Sequence, residues 1–174
     1  MAATKVITVA AGCFWGVEKV FSRIFLGRGL LSSKVGYANG SPSFDHVDYR
    51  MVCSGNTDFS EAVQLTYDPA VLYVREILEI FFRIHDPTTV NSQGPDVGSQ
   101  YRSGIYTQSE TDLAIAQEVK EYFQKEWYPN KKIVTEIEPL DIWIDAEDYH
   151  QQYLEKNPGG YECPTHFLRE KPRI

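Results

Sequence analysis

A cysteine near the start of the chain lies between glycines and directly before two large aromatic residues. The segment "GCFWG" places Cys13 after the apolar, β-branched run "KVITVAA" and before apolar residues that recur at helical spacing. This pattern predicts a strand, a tight turn and a helix, with Cys13 near the helix N-terminus. The amides and dipole of a helix N-terminus stabilise a thiolate, the reactive form of cysteine. Cys13 is therefore a candidate nucleophile, and a small buried core residue is the alternative.

The two aromatic residues after Cys13 are predicted to form a pocket. Phe14 and Trp15 are neighbours on a turn, so their side chains point in different directions and do not easily enter one core. Two aromatic faces beside a thiol make an apolar pocket for a small group such as a methyl. Ordinary core packing of both rings is the alternative interpretation.

Length and composition limit the classes of protein. The 174 residues are 43% hydrophobic and 24% charged, which predicts one soluble globular domain over residues 1–174. The net charge of -7 and the lack of a basic run argue against a nucleic-acid surface. The apolar runs are too short for a membrane span and the N-terminal run lacks signal-peptide anatomy, so we expect a cytoplasmic protein. Three cysteines without CxxC or His/Cys spacing predict neither a disulfide scaffold nor a metal site.

The apolar periodicity changes repeatedly between that of strands and that of helices. Strands are predicted at "KVITVAAG", "LLSSKVGYANG", "EAVQLTYDP", "SGIYTQ" and "KIVTEIEPL". Helices are predicted after Cys13, from Tyr73 to before Pro87, from an N-cap pair of Ser109 and Asp112 to about Trp127, and at "AEDYHQQYLEK". Residues 36–60 and 86–103 lack periodicity and are predicted to be ordered functional loops. The interspersed elements predict an α/β or α+β fold around a small mixed sheet.

The motifs together resemble those of the A class of methionine sulfoxide reductases, which act on the S epimer. After "GCFWG" the similarity continues through "GYANG", "VCSG", "HDPTT", "NSQGPDVGSQYRSGIY" and "YHQQYLEKNPGGY", in the expected order over nearly the whole chain. The resemblance implies a ferredoxin-like α/β roll with a small mixed sheet, long irregular loops and an irregular C-terminal tail. It also implies thiol-dependent reduction of methionine S-sulfoxide, in proteins and as the free amino acid, for the repair of oxidised proteins.

The resemblance implies a role for each residue around the nucleophile Cys13. A sulfoxide oxygen is a poor leaving group unless it is protonated, and Glu61 in "FSEAV" is the implied general acid. A carboxyl donates a proton at neutral pH only if an apolar environment raises its pKa. The hydroxyls of Tyr49 and Tyr101 would bind the sulfoxide oxygen. Asp96 would orient these groups or bind the substrate backbone through water.

In the implied reaction, Phe14 and Trp15 hold the methyl group on the substrate sulfur. A second thiol is needed to complete the reaction. Attack leaves Cys13 as a sulfenic acid, which condenses with another cysteine to a disulfide. Cys163 lies in the glycine-containing segment "GGYECPTHF" and is the implied resolving thiol, whereas Cys53 in "VCSG" is interpreted as structural. A reductant of the thioredoxin type would then restore both thiols, with no bound metal, flavin or nucleotide.

The sequence departs from the family pattern in two places. Most members have Gly-His-Ala before the acidic glutamate, where this chain has Asp58, Phe59 and Ser60, so different surroundings are expected for the acid. Many members also carry additional cysteines in a glycine-rich tail. Here Cys163 alone lies near the end, which implies a cycle with one disulfide.

Two other functions are compatible with the individual residues. A Cys-His acyl-transfer enzyme would use His85 or His150 as the base and turn over esters without a reductant. A binding module would hold a methylated or thioether ligand on Phe14 and Trp15, and would keep its function without Cys13. We interpret both histidines as hydrogen-bonded structural groups.

Overall fold

The described residues, 3–173 of this computed structural model, form a six-stranded mixed sheet, a two-stranded hairpin and five α-helices. In chain order the elements are β1 Lys5–Ala11, α1 Phe14–Phe25, β2 Leu30–Ala38, α2 Tyr49–Cys53, β3 Ser60–Tyr67, α3 Val74–Arg83, β4 Ser92–Gln93, β5 Asp96–Val97, β6 Ser103–Thr107, α4 Glu110–Glu126, β7 Glu136–Pro139, β8 Trp143–Asp145 and α5 Tyr153–Lys156. None of the helices described is long and apolar enough to cross a membrane.

The order of the strands agrees with the expected ferredoxin-like roll. The main sheet runs β7-β6-β1-β3-β2-β8, and the four strands β6, β1, β3 and β2 pair antiparallel. The helix α1 connects β1 to β2, and α3 lies between β3 and β6 in the chain, which is the β-α-β-β-α-β connectivity of that fold. The strand β7 pairs parallel to β6, which makes the sheet mixed. The predicted mixed α/β class is therefore confirmed.

The central strands carry apolar residues on both faces because both faces are covered. On one face Ile7 and Val9 of β1 join α1 and α3 in the main core. On the other face, small residues at Ala10, Ala38 and Ala62 pack with the buried ring of Tyr106. Burial on both faces stabilises such a strand in its position, because almost every one of its side chains buries apolar surface.

The register of the central strands places the predicted nucleophile beside the predicted acid. In the antiparallel pair, Val9 of β1 faces Val63 of β3, so the end of β1 lies next to the start of β3. Cys13 follows β1 by two residues, and Glu61 is the second residue of β3. A one-residue slip would turn Glu61 to the other face of the sheet.

The last predicted helix is the largest difference between expectation and structure. The segment "AEDYHQQYLEK" forms a 3-10 turn and the separate helix α5, with Gln152 between them at a left-handed φ of 50°. The Gln152 amide donates to Glu18 Oε1 at 2.8 Å, and the Gln151 side chain hydrogen-bonds both backbone groups of Val35, at 2.8 and 2.9 Å. These tertiary hydrogen bonds override the local helical pattern.

Smaller differences concern the ends of elements and four short elements that were not predicted: α2, β8, and the strands β4 and β5 of the hairpin. The helix α3 ends at Arg83, before the expected limit at Pro87, and only Glu136–Pro139 of "KIVTEIEPL" pairs in the sheet. The short helix α2 lies within the segment predicted to be irregular, and Asp48 caps it through the Met51 amide at 2.8 Å. The strand β8 pairs with β2, an edge contact that local sequence does not indicate.

His85 is a fully buried structural group, as the sequence analysis interpreted it. Its Nδ1 donates to the Phe81 carbonyl at 2.7 Å, and its Nε2 accepts from the Ser103 hydroxyl at 2.7 Å. The Ser103 hydroxyl in turn contacts Thr135 Oγ1 at 2.8 Å. Burial lowers the pKa of His85 to about 3, so the ring is neutral in the fold.

We expect the His85→Asn variant to lose part of the acid sensitivity of folding. Unfolded histidine gains a proton below pH 6.5 that the buried ring refuses until about pH 3, so the free energy of unfolding of the wild type falls across this window. Urea unfolding at a series of pH values should show a shallower slope in the variant. The exposed His46→Asn is the matched control. Equal slopes for His85→Asn and wild type would contradict this account.

Candidate active site

The turn that carries Cys13 requires glycine before it. Gly12 has a φ of +96°, and a side chain there would collide with the side chain of Gln93. Cys13 is the N-cap of α1, and its carbonyl accepts from the Val17 amide at 3.4 Å. The predicted strand, turn and helix are therefore present, with Cys13 at the N-terminus of the helix.

Burial governs the ionisation of Cys13. The residue is only 8% exposed, and its burial, followed by the nearby Glu61 carboxyl, raises the pKa of the thiol. The Trp15 and Gly16 amides lower that pKa, as expected for a helix N-terminus, but they do not compensate for the burial. The free protein therefore holds a neutral thiol here.

Glu61 is buried in a position that keeps it protonated. Its Oε1 accepts from the Phe14 amide at 3.2 Å, while its Oε2 is buried without a hydrogen-bond partner within residues 3–173. Burial raises the pKa of this carboxyl to about 8, although the Phe14 amide opposes the shift. At neutral pH the group is an acid with one oxygen free to donate to a ligand.

The two predicted aromatic residues diverge and form two parts of one wall. Phe14 is 1% exposed and lies near the rings of Tyr37 and Tyr49, with centroids at 5.9 and 6.5 Å. Trp15 is half-buried and stacks on Tyr153 at 3.8 Å with 12° between the planes. Phe14 therefore forms the buried end of this wall, where it joins the core, and Trp15 extends the apolar surface toward solvent.

His150 connects the aromatic wall and does not pair with the thiol. Its Nδ1 accepts from Trp15 Nε1 at 2.9 Å, and its ring lies 4.6 Å from that of Tyr49 and 5.2 Å from that of Phe14. Both nitrogens of His85 are also engaged elsewhere. Within the described residues, neither histidine has a hydrogen bond to Cys13. The geometry therefore does not support the hypothesis of a Cys-His acyl-transfer enzyme.

The two predicted tyrosines approach Glu61 from different elements. Tyr49 begins α2, and Tyr101 ends a 3-10 turn before β6. Burial and then the charge of Glu61 raise the pKa of both phenols, so both remain hydrogen-bond donors. The structure thus brings together the thiol, the acid and both predicted hydroxyls.

Arg102 positions the segments on either side of this group, and the sequence analysis did not identify it. Its guanidinium donates to the carbonyls of Asp58 at 2.9 Å and Ser99 at 3.0 Å, and pairs with Glu136 Oε2 at 3.1 Å. These contacts fix the chain before Glu61 and before Tyr101. The only local signal is a charged residue inside "SQYRSG", which does not reveal its partners.

Glu61 is buried although the tripeptide before it differs from the usual one. Phe59 is 1% exposed, and Ser60 points away from Glu61, with its hydroxyl 3.2 Å from the Ala38 carbonyl and 3.1 Å from the Tyr106 hydroxyl. Asp58 adopts a φ of 59°. The departure from the usual Gly-His-Ala therefore replaces side chains without exposing the carboxyl.

The C-terminal segment brings Cys163 to the side of the site that Asp96 occupies. The buried Cys163 Sγ lies 3.1 Å from Thr165 Oγ1 and 3.6 Å from the Gln93 carbonyl. The Asp96 carboxylate accepts from the Tyr161 hydroxyl at 3.2 Å and contributes to raising the pKa of both Cys13 and Cys163, after burial. Both thiols therefore lie near this carboxylate.

Cys53 ends α2, the short helix that begins at Tyr49. Burial raises the pKa of its thiol, and the neighbouring Tyr49 hydroxyl opposes this shift. Cys13, Cys53 and Cys163 are all free thiols. The described residues contain no group of three or more histidine, cysteine or acidic side chains arranged to bind a metal ion.

A comparison with models of protein families identifies the family of this chain. The model described as peptide methionine sulfoxide reductase matches residues 5–173. The chain belongs to this family. A peptide methionine sulfoxide reductase of Saccharomyces cerevisiae is 53% identical over an alignment of 172 residues, which covers 95% of this chain and 91% of the relative. The chain is therefore an oxidoreductase of the sulfoxide reductase class, and the family resemblance inferred from its motifs is confirmed.

Solved structures of the family support the fold as well. The reduced form of Mxr1 from Saccharomyces cerevisiae matches with a TM-score of 0.91 and 52% identity, over 96% of this chain and 93% of that chain. Mxr1 in complex with Trx2 matches with a TM-score of 0.65 and 37% identity, over 96% of this chain and 91% of that chain. The roll found in this sulfoxide reductase is thus the family fold.

The raised pKa of Glu61 predicts a loss of stability at alkaline pH. The folded carboxyl holds its proton up to about pH 8 and the unfolded one only to about 4.5, so the stabilisation is complete below 4.5 and is lost as the pH rises through 8. The wild-type free energy of unfolding should fall in this window by up to about 1.4 kcal/mol per pH unit relative to Glu61→Gln. Denaturant unfolding from acidic to alkaline pH measures this difference. The exposed Glu79→Gln is the control, and parallel curves for Glu61→Gln and wild type would exclude a raised pKa.

Proposed function

We propose that this chain, acting as a single domain of residues 1–174, reduces methionine S-sulfoxide in proteins and as the free amino acid. The reaction passes through a sulfenic acid on Cys13 and a Cys13–Cys163 disulfide, which a thioredoxin-type reductant opens. The observation that carries the proposal is the buried Glu61, protonated and with a free oxygen, beside the thiol of Cys13. Such a chain would repair oxidised proteins, and its cytoplasmic location stays a prediction from the sequence.

The proposed substrate pose uses the two kinds of surface around Cys13. The methyl group of the sulfoxide lies against Phe14 and Trp15, and the oxygen faces Glu61 and the hydroxyls of Tyr49 and Tyr101. The R epimer would exchange methyl and oxygen, which would press the oxygen against apolar rings and leave Glu61 unpaired. This exchange would bury the polar oxygen without a hydrogen-bond partner, which is energetically unfavourable. The site therefore favours the S epimer.

The proposed reductive step moves one oxygen atom from substrate to enzyme. Glu61 donates its proton to the sulfoxide oxygen, which makes the sulfur electrophilic. The Cys13 thiol transfers its own proton to the Glu61 carboxylate and attacks the sulfur, while the amides of Trp15 and Gly16 stabilise the developing thiolate. The oxygen and its proton then pass to Cys13 as a sulfenic acid, and methionine leaves as its S–O bond and the temporary bond between the two sulfurs break. The hydroxyls of Tyr49 and Tyr101 hold the oxygen during the transfer.

The proposed second step restores the enzyme. The sulfur of Cys163 attacks the sulfur of the Cys13 sulfenic acid, the S–O bond breaks, and the hydroxyl leaves as water with the thiol proton of Cys163. Two electrons and two protons from a dithiol then open the disulfide. The complex of Mxr1 with Trx2 supports a reductant of the thioredoxin type for this relative. No bound metal or organic cofactor enters the proposed cycle.

The epimer preference and the acid can be tested together. With a thioredoxin system, we expect the wild type to reduce the S sulfoxide and not the R sulfoxide. Cys13→Ser should reduce neither, because a neutral hydroxyl does not replace the thiol. Glu61→Gln should lower the rate of methionine release in a single turnover by about 10²–10⁴-fold, the usual contribution of a general acid. Rapid turnover of the R epimer, or a Glu61→Gln rate within a few-fold of wild type, would overturn this assignment.

The role of Cys163 separates the two steps. With a thioredoxin system, Cys163→Ser should release about one methionine per enzyme and stop with a sulfenic acid on Cys13, which a dimedone-type reagent traps. Dithiothreitol should restore turnover, because a small thiol reaches the sulfenic acid directly.

Cys53→Ser is the matched control, since Cys53 also lies beside the site but is not the proposed resolving thiol. It should keep its thioredoxin-linked turnover. If Cys53→Ser stalls and Cys163→Ser does not, Cys53 is the resolving thiol.

A further inference from the structure

The C-terminal tail, residues 157–173, is fixed to the end of α3 by a pair of hydrogen bonds. The Arg169 amide donates to the Arg83 carbonyl at 2.8 Å, and Arg83 Nε donates to the Arg169 carbonyl at 2.8 Å. The Arg169 guanidinium also donates to the Thr165 carbonyl at 2.9 Å. The tail is irregular in structure but has a definite anchor about six residues beyond Cys163.

Cys163 and His166 form the two ends of one tight turn. The His166 amide donates to the Cys163 carbonyl at 3.0 Å, with Pro164 in the first central position, where proline is favoured. The hydroxyl of Thr165 contacts the Cys163 thiol at 3.1 Å. The position of the His166 ring therefore determines where the turn presents its thiol.

The His166 ring docks on the turn that carries Cys13. Its Nε2 donates to the carbonyl of Ala11, the last residue of β1, at 2.7 Å. A neutral imidazole that donates from Nε2 has a bare Nδ1, and this atom is buried without a partner in the described part of the chain. The proposed reductive step does not use His166, so that step does not explain why the ring is docked here.

The two glycines that flank Cys13 form the notch for this ring. A side-chain carbon at Gly16 would collide with Nδ1 of His166, and one at Gly12 would lie 3.4 Å from its Nε2. The positive φ of Gly12 accounts for the glycine there, but Gly16 has no such requirement. The space for His166 explains why residue 16 carries no side chain.

We infer that His166 is a positioning residue for the resolving step: it latches the tail onto the catalytic turn through the Ala11 carbonyl and holds Cys163 ready for the sulfenic acid of Cys13. The inference rests on the proposed function. In the step that it serves, the Cys163 sulfur bonds to the Cys13 sulfur, and the hydroxyl leaves as water. Holding two reacting groups together raises their effective concentration, so the latch accelerates this step and leaves the reductive step unchanged.

The test compares two variants that differ in one hydrogen bond. His166→Phe keeps a ring in the notch but loses the donor to Ala11, and His166→Gln returns an amide N–H near the place of Nε2. Each variant receives one equivalent of the S sulfoxide without reductant. Methionine release reports the reductive step, and the decay of dimedone-trappable sulfenic acid reports disulfide formation.

We expect all three proteins to release methionine at the same rate. Disulfide formation should slow by about tenfold in His166→Phe, the factor that a buried hydrogen bond supplies, and should return to within a few-fold of wild type in His166→Gln. Equal decay of the sulfenic acid in His166→Phe and wild type would overturn the latch. A loss of both steps that His166→Gln does not restore would also overturn it, because it would indicate general disruption.

Cys163→Ser in the same experiment distinguishes failure of the latch from failure of the proposed function. A sulfenic acid that persists in this variant supports Cys163 as the resolving thiol, so an unaffected His166→Phe would then refute the latch alone. A sulfenic acid that decays as fast as in the wild type would refute the proposed resolving thiol, and the latch with it.

Discussion

The hydrogen bond from the Phe14 amide to the buried carboxyl of Glu61 is the interaction on which the site depends. It joins the first residue of α1 to the second residue of β3, and thus connects the turn that carries Cys13 to the centre of the sheet. The pairing of β1 with β3 brings the two segments together, and the apolar surroundings exclude water. A carboxylate would be costly in such a place, so the fold keeps the proton on Glu61.

The same burial determines the state of every other group in the site. It raises the pKa of the Cys13 thiol and of the phenols of Tyr49 and Tyr101, so each of these groups carries its proton in the free protein. A neutral thiol in a water-excluding pocket reacts slowly with oxidants and other electrophiles. A sulfoxide that accepts the proton of Glu61 leaves a carboxylate beside the thiol. In our proposal the substrate therefore activates the nucleophile that attacks it.

Sequence reasoning succeeded where a few neighbouring residues determine the structure. The strand, turn and helix around Cys13 follow from glycine and apolar spacing, and Ser109 caps α4 through the Asp112 amide at 3.1 Å, as predicted. It failed where distant partners decide. Gln152 breaks a helical pattern because Glu18 binds its amide, and Arg102 organises loops that are remote in sequence. The family motifs indicated which residues meet in the site, but burial, and hence the protonation of the acid, required the packed structure.

The protonation of Glu61 in the folded protein tests this account most directly. Infrared difference spectra between the wild type and Glu61→Gln, recorded from acidic to alkaline pH, isolate the absorption of this one carboxyl. The account predicts the carbonyl band of a protonated acid at neutral pH, replaced by carboxylate bands as the pH passes about 8. Carboxylate bands already present at neutral pH would contradict the buried acid, and with it the proposed route by which the sulfoxide oxygen is activated.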